Sequence, residues 1–357
     1  MLRVLKWVFV VILFISLSMV IFFWITTFHP PEVKHIEIFC DKEAPSLKAG
    51  QSLKIVTYNI QFLAGKNYLF YYEMPNYAGP DERPSSEDIG ITLNELVRVI
   101  KDENPDILLL QEVDDGAKRT DYKDQLKLIL SKLPPEYCCY TSAFYWKAKF
   151  VPHKRIMGAV GMKLSVISKY KIDSATRHQL APVPGNPIVN LFKLRRAILE
   201  TRLPVEGNNY LSIFNVHLEA FPETSNVMEK QTKHLDSLLT IKNMNTSWVA
   251  GGDFNLTPPK NLDADLDTDK KSNKNENLMN IFYDKYQVIP KLSDVNSAHS
   301  KDWFTYFPNN PKINAPTKTI DYIIFSDQIQ LVDYYVRQHD TLKISDHLPV
   351  CAIIEIR

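Results

Sequence analysis

The chain lacks most of the features that would place it quickly. Its four cysteines, Cys40, Cys138, Cys139 and Cys351, contain no C-x-x-C pair and no zinc-finger spacing. Four cysteines in 357 residues are too few for a disulfide framework, so they read as structural or incidental core residues. There is no surplus of one charge: 42 Lys and Arg face 41 Asp and Glu. That balance withholds the overall basic character typical of proteins held on nucleic acid by counterion release, although charge can still segregate locally. No G-x-S-x-G, H-E-x-x-H or G-x-G-x-x-G motif occurs, and no period repeats. Gly158-Ala159-Val160-Gly161-Met162-Lys163 superficially suggests a phosphate loop but lacks the required spacing. It reads as the start of a strand.

Only one apolar run is long. Trp7 to Phe28 is interrupted solely by Ser16, Ser18, Thr26 and Thr27. As a helix it spans about 33 Å, enough to cross a bilayer core. It exceeds the usual h-region of a signal peptide and ends in Phe-Trp-Ile-Thr-Thr-Phe, with no small-residue cleavage pattern. An uncleaved anchor is expected over residues 7–28. Arg3 and Lys6 precede it, so the positive-inside rule puts the N-terminus in the cytoplasm and the rest of the chain beyond the membrane. Residues 29–52, punctuated by Pro30, Pro31, Pro45 and Gly50, read as a linker in which Ile36, Ile38 and Phe39 can form a short strand. Residues 53–357 read as the folded domain.

With 45% hydrophobic and 23% charged residues the chain can bury a core. Short apolar strands are expected at 53–60, 106–113, 159–168, 194–203, 210–218, 246–252, 320–325 and 348–356. Ser85 or Ser86 can cap a helix whose stripe is Ile89, Leu93, Leu96, Val97 and Ile100. Further helices are expected near 121–133 and 224–240. The tyrosine-rich stretch 66–88 and the polar stretch 258–277 read as loops. Tyr145 to Phe150, followed by His153-Lys154-Arg155, mixes rings and bases. It reads either as a solvated loop or as a grip for nucleic acid or a lipid headgroup.

The informative pattern is where polar residues stop strands. Asn59, Glu112, His217, Asp253 with Asn255, Asp321, and Asp346 with His347 all fall at strand ends. Singly, each is a turn former or a structural histidine. Together they are only acids, amides and imidazoles. If those ends converge they form one acidic pocket with two histidines. Such oxygen-rich sets favour Mg²⁺, with Mn²⁺ as a substitute, over zinc. A divalent ion, a carboxylate base and imidazole donors together suit phosphoester hydrolysis.

Six blocks carry a specific resemblance: Ile55 to Gln61, Leu110 to Val113, Val216 to Ala220, Gly252 to Pro258, Ile320 to Tyr322 and Ser345 to Pro349. In this order they resemble the endonuclease/exonuclease/phosphatase superfamily over residues 53–357. The resemblance implies an α+β fold, a two-sheet β-sandwich flanked by helices as in deoxyribonuclease I, here preceded by a transmembrane helix. It implies Glu112 as the main metal ligand, with Asn59 and Asp346 beside it. Asp253, held by Asn255, activates water; His217 and His347 contact the scissile phosphate; and Asp321 orients His347. Gln61 and Arg196 are implied substrate contacts, although Gln61 stands where several branches use Asp. Apurinic endonucleases carry Asn at His217 and Tyr at Phe214, so that branch is disfavoured. His217-Leu218 followed by Ala220 is closer to the deoxyribonuclease-I-like, sphingomyelinase and inositol-phosphatase branches.

The expected activity is Mg²⁺-dependent hydrolysis of a lipid or other extracytoplasmic phosphodiester by a membrane-anchored enzyme. A deoxyribonuclease-I-like endonuclease, a phosphomonoesterase and a non-catalytic binding module are the alternatives. The substrate partner is thus a lipid or a nucleic acid, and residues 7–28 meet the membrane.

Overall fold

A computed structural model describes residues 1–207, 209–220, 226–243, 246–259 and 278–356. The polar loop expected at 258–277 lies outside the described residues beyond its first two positions.

The apolar run forms helix α1 (Leu2–Thr26), exposed along nearly its whole length and buried only at Thr26. Its 25 residues, with a mean hydropathy of 2.9 over the most apolar 18, are long and apolar enough to cross a membrane.

Fourteen strands follow among the described residues: β1 (Val33–His35), β2 (Ile38–Cys40), β3 (Ser52–Asn59), β4 (Ile107–Asp114), β5 (Cys139–Val151), β6 (Gly158–Ser168), β7 (Ser174–Gln179), β8 (Ala197–Val205), β9 (Asn209–His217), β10 (Ser247–Asp253), β11 (Gln287–Ile289), β12 (Asp321–Phe325), β13 (Ile329–Val336) and β14 (Val350–Ile356). They make two seven-stranded sheets, ordered β13-β14-β3-β4-β6-β5-β2 and β1-β7-β8-β9-β10-β12-β11. The expected sandwich is therefore present. The segment expected as a linker supplies an edge strand to each sheet, β2 beside β5 and β1 beside β7. Cys40 and Cys139 form a disulfide across the first of these edges. Two of the four cysteines are thus a cross-link rather than incidental residues, while Cys138 and Cys351 are free.

Alternation along the strands builds the layers. Leu53 and Ile55 of β3 face Leu211 and Ile213 of β9 in the core between the sheets. The intervening residues Val56 and Tyr58 face helix α2 (Ser86–Glu103), whose buried stripe includes Ile89, Leu93, Leu96, Val97 and Ile100. Ser85 caps this helix by accepting from the Asp88 amide at 3.0 Å. On the other outer face, Phe214, Val216 and Trp248 pack under Leu235 and Leu239 of α5 (Val227–Asn243). The helix expected near 121–133 is shorter, α3 (Gln125–Leu130).

Each sheet has one parallel pair at its centre, β3 with β4 and β9 with β10. Parallel neighbours need a crossover, and α2 and α5 provide it. The carboxyl ends of each parallel pair therefore lie at one edge of the sandwich, where sheets of this kind bind ligands.

The stretch from Tyr145 to Phe150 is not a loop. It lies within β5, whose thirteen residues alternate in burial and are broken by two register shifts against β6. Gly158 to Lys163 opens β6, as expected.

Candidate active site

Register alone aligns three of the polar strand ends. Asp253 stands opposite His217 on β9 and opposite Asp321 on β12. Gly252 makes this possible: its φ is +153°, and a Cβ there would lie 1.9 Å from the Val216 carbonyl oxygen. Asn59 arrives at the end of β3 from the facing sheet. His347 arrives just before β14, which pairs with β3.

Glu112 is not at a strand end. β4 continues to Asp114, and Glu112 sits in a bulge between Leu110 and Val113 with φ +57°. The bulge turns its carboxylate out of the ladder and towards the other acids, at a backbone cost on the order of 1–2 kcal/mol. Gln61, Phe62 and Leu63 have positive φ too, so the chain leaves β3 through a strained turn.

Asp253 is the hub of the site. Its Oδ1 accepts from the Asn255 backbone amide at 2.9 Å. Its Oδ2 lies 3.1 Å from Asn59 Nδ2, 3.3 Å from His217 Nε2 and 3.5 Å from His347 Nε2. Asn59 Nδ2 also reaches Glu112 Oε1 at 3.3 Å, while its Oδ1 accepts from the Gln61 amide. In this orientation Asn59 is a donor shared by two carboxylates, whereas metal ligation would need its oxygen. Gln61 is buried with Oε1 unpaired. The Asn255 side chain donates to the Leu218 carbonyl at 3.2 Å and holds the loop after β10.

The two histidines differ. His347 Nδ1 lies 2.8 and 3.1 Å from the Asp321 oxygens. Burial opposes its charge, but Asp321, Asp253 and Asp346 outweigh that and push its pKa up to about 10. His347 is therefore an imidazolium at neutral pH. Burial, with Arg196 and His347 nearby, holds the pKa of His217 well below its ordinary value, so this ring is neutral. Its Nδ1 then accepts from the Tyr145 hydroxyl at 3.3 Å and its Nε2–H points at Asp253.

Burial, and then Asp346, push Glu112 up to about 7, although its side chain keeps 21% of its exposure. Burial raises Asp346 as well, and it raises Asp253 to about 6. Crowded, partly neutralised carboxylates of this kind suit a site that receives a cation. Ligand atoms of Asp253, Asp321 and His347 lie within 4.8 Å of one another. Asp321 and His347 are already bonded to each other, however, and an imidazolium has no lone pair to offer. The open carboxylates of Glu112 and Asp346 fit a hard ion better.

Arg196 is buried against this cluster, with its guanidinium 5.4 Å from the Tyr145 ring. Its Nε and Nη1 have no hydrogen-bond partner, and the nearest acid, Glu219, is 4.0 Å away. Buried N–H groups of a cation left without hydrogen bonds are costly unless an anion occupies the space before them.

The expected residues Asn59, Glu112, His217, Asp253, Asp321 and His347 thus meet at one end of the sandwich. Several neighbours were not expected. Tyr145 comes from the segment read as a loop or grip, and its burial was hidden by Lys147 and Lys149. Lys66 and Glu73 come from the tyrosine-rich loop. Burial pulls Lys66 down to about 8, and burial with Asp346 pushes Glu73 up to about 8. Thr305 accepts from the amides of Ile320 and Asp321, both at 3.0 Å, and steadies the start of β12. Ser345 Oγ donates to the Asn59 carbonyl at 2.8 Å. Phe214 corrects the sequence argument about apurinic-site repair. It faces α5, opposite to His217, so its missing hydroxyl says nothing about the site, and Tyr145 supplies a hydroxyl there.

A profile of the Endonuclease/Exonuclease/phosphatase family matches residues 56–347. Among solved structures, the chain is similar to an endonuclease/exonuclease/phosphatase from Beutenbergia cavernae, at 19% identity and a TM-score of 0.56, over 86% of this chain and 72% of that one. It is similar to the human Nocturnin catalytic domain with bound sulfate, at 16% identity and 0.53, over 90% and 98%. A third is a family protein from Leptotrichia buccalis, at 15% and 0.53, over 85% and 100%. At these identities the likeness is one of fold. No curated protein matches the sequence.

Proposed function

The chain belongs to the Endonuclease/Exonuclease/phosphatase family, and on that premise we propose that it is a divalent-cation-dependent phosphodiester hydrolase tethered by α1, with its catalytic domain outside the cytoplasm. The observation that carries this reading is Asp253 set between a neutral and a charged imidazole, next to a buried Arg196 whose Nε and Nη1 make no hydrogen bond. These groups offer a base and two cationic contacts to one phosphate.

Asp253, with a pKa near 6, is ionised at neutral pH and basic enough to take a proton from water. The Asn255 amide and Asn59 hold it in place. His347 keeps its proton under the hold of Asp321 and donates to the phosphate, where charge develops. Arg196 neutralises a second phosphate oxygen. Neutral His217 donates through Nε2 and is fixed in that tautomer by Tyr145. Gln61, buried with a free oxygen, is a further substrate contact. Glu112 and Asp346 would hold Mg²⁺ or Mn²⁺, which would supply charge neutralisation at the phosphoryl group.

The tether rests on α1 and on its flanking Arg3 and Lys6. The Cys40–Cys139 disulfide supports the outward placement, because such bonds persist in oxidising compartments. The tyrosine-rich loop lends less support. Tyr68 and Tyr72 pack around the buried Phe70, leaving Tyr77 as the exposed ring among its tyrosines.

The test is hydrolysis by the purified full chain of a phospholipid, DNA and a phosphomonoester, with Mg²⁺, Mn²⁺ or chelator. Cleavage of a phosphodiester that needs the ion and disappears in a folded Asp253→Asn protein is the expected result. Undiminished turnover after chelation would sink the reading. Preference for DNA or for the monoester would select an alternative substrate class.

A further inference from the structure

Charge in this balanced chain is segregated. Between Glu136 and Glu200 there are eleven Lys and Arg and one acid, Asp173. Part of this basic stretch lies where α1 meets the domain. Thr27 bridges to Ala148 of β5, and the Phe23 ring lies 5.2 Å from that of Phe192. The Trp146 indole donates to the Phe192 carbonyl at 2.8 Å, which fixes this junction to the sandwich. Lys149, Lys154 and Lys193 are exposed around it and make no ion pair among the described residues. Beside them a one-turn helix, α4 (Pro187–Asn190), exposes Ile188 by 60% and Val189 by 53%.

The same strand leads into the site. Tyr145, which touches His217, is three residues from Ala148 on β5, about 10 Å at strand rise. Interfacial layers flank the hydrocarbon core by roughly 5–8 Å on each side. A domain joined to a spanning helix in this way keeps its site within about a strand's reach of the interfacial layer.

We infer that the surface formed by Lys149, Lys154, Lys193, Ile188 and Val189 docks on an anionic bilayer, seating α4 in the interface and turning the site towards headgroups of the leaflet that α1 enters. The inference rests on the reading of α1 as a membrane anchor. The occupant is a lipid surface because the exposed aliphatic pair lies beside the anchor's exit, where a bilayer would be. Lysines attract its negative charge, and aliphatic side chains suit its acyl boundary. Nucleic acid would match the lysines but not Ile188 and Val189.

The test is hydrogen exchange on the full chain in phosphatidylcholine nanodiscs with and without phosphatidylglycerol. Amides of 186–193 and 152–157 should be protected in anionic discs. Protection should fall in neutral discs and in the protein carrying Lys149→Glu, Lys154→Glu and Lys193→Glu. Each lysine should strengthen docking about fivefold, so the triple reversal should weaken docking by at least roughly 100-fold. An Ile188→Ser, Val189→Ser protein should lose protection at 186–193 while 152–157 keep theirs. A chain that leaves the discs would defeat the anchor reading. A chain that stays in them, with these amides unprotected or unaffected by the reversals, would overturn the docking surface alone. So would tighter binding of a single-stranded oligonucleotide than of anionic lipid through the same lysines.

Discussion

Asp321→Asn isolates the part of the site that holds a charge. The substitution preserves shape and a hydrogen bond to His347 Nδ1 but removes the carboxylate 2.8 Å away. Both groups are buried. Two unit charges about 4 Å apart at an effective dielectric near 20 interact by roughly 4 kcal/mol. That is worth about 3 pKa units. His347 should fall from about 10 to roughly 7. The wild-type pH–rate profile should rise as Asp253 ionises near 6 and decline only near 10. In the variant the upper limb should move to about pH 7. Near pH 6 the two proteins should differ by only a few fold. At pH 9 the variant should be slower by roughly 100-fold, because each pH unit above the pKa removes about 90% of the remaining imidazolium. Both profiles are to be measured with the same metal and substrate, with folding checked by thermal unfolding at each pH. Parallel profiles, with equal loss at pH 6 and pH 9, would show that Asp321 does not act by keeping His347 charged.

Other outcomes follow from the same geometry. The metal-free protein should lose thermal stability as pH rises from about 4 to 7. The raised pKa values of Glu112 and Asp253 mean that the folded state favours their protonated forms, so their contribution is full below the unfolded values and is lost on passing the folded ones. Added Mg²⁺ should therefore raise Tm more at pH 8 than at pH 5, and an equal rise at both would contradict this. Arg196→Met should cut kcat/KM by at least roughly 100-fold. Calorimetry should find only a small change in Tm, because Nε and Nη1 make no hydrogen bond and the ion pair with Glu219 is long, at 4.0 Å. Asn215→Leu should destabilise by roughly 2–4 kcal/mol in denaturant titrations, because it strands Gln111 and the carbonyls of Leu110 and Ser165 between the sheets. Thiol labelling of the unreduced, unfolded chain should modify two of the four cysteines, Cys138 and Cys351; labelling of all four would argue against the outward placement.

Much of the candidate site was legible in the sequence because its residues stand beside strands whose alternation is strong. Asn59, His217, Asp253 and Asp321 follow or begin apolar runs of period two, and a parallel pair with a crossover helix brings such ends together whatever the loops do. Even the outward facing of Phe214 follows from its odd spacing from His217. The long apolar run of α1 and the stripe of α2, capped by Ser85, are likewise local patterns.

What the chain order could not reveal depends on contacts between distant residues. The bulge that projects Glu112 is a mismatch of register between β4 and β6, invisible in either strand alone. β5 escaped notice because its exposed lysines and two register shifts obscure the alternation that places Tyr145 on the buried face. Cys40 and Cys139 are 99 residues apart, and only the pairing of β2 with β5 sets them opposite each other. The division of labour between the histidines belongs wholly to tertiary structure. Sequence determined that two imidazoles and several carboxylates would stand at strand ends. Burial and the arrangement of neighbouring charges decided that Asp321 keeps one ring protonated, that desolvation and Arg196 keep the other neutral, and that Arg196 itself is left with two buried N–H groups without hydrogen bonds.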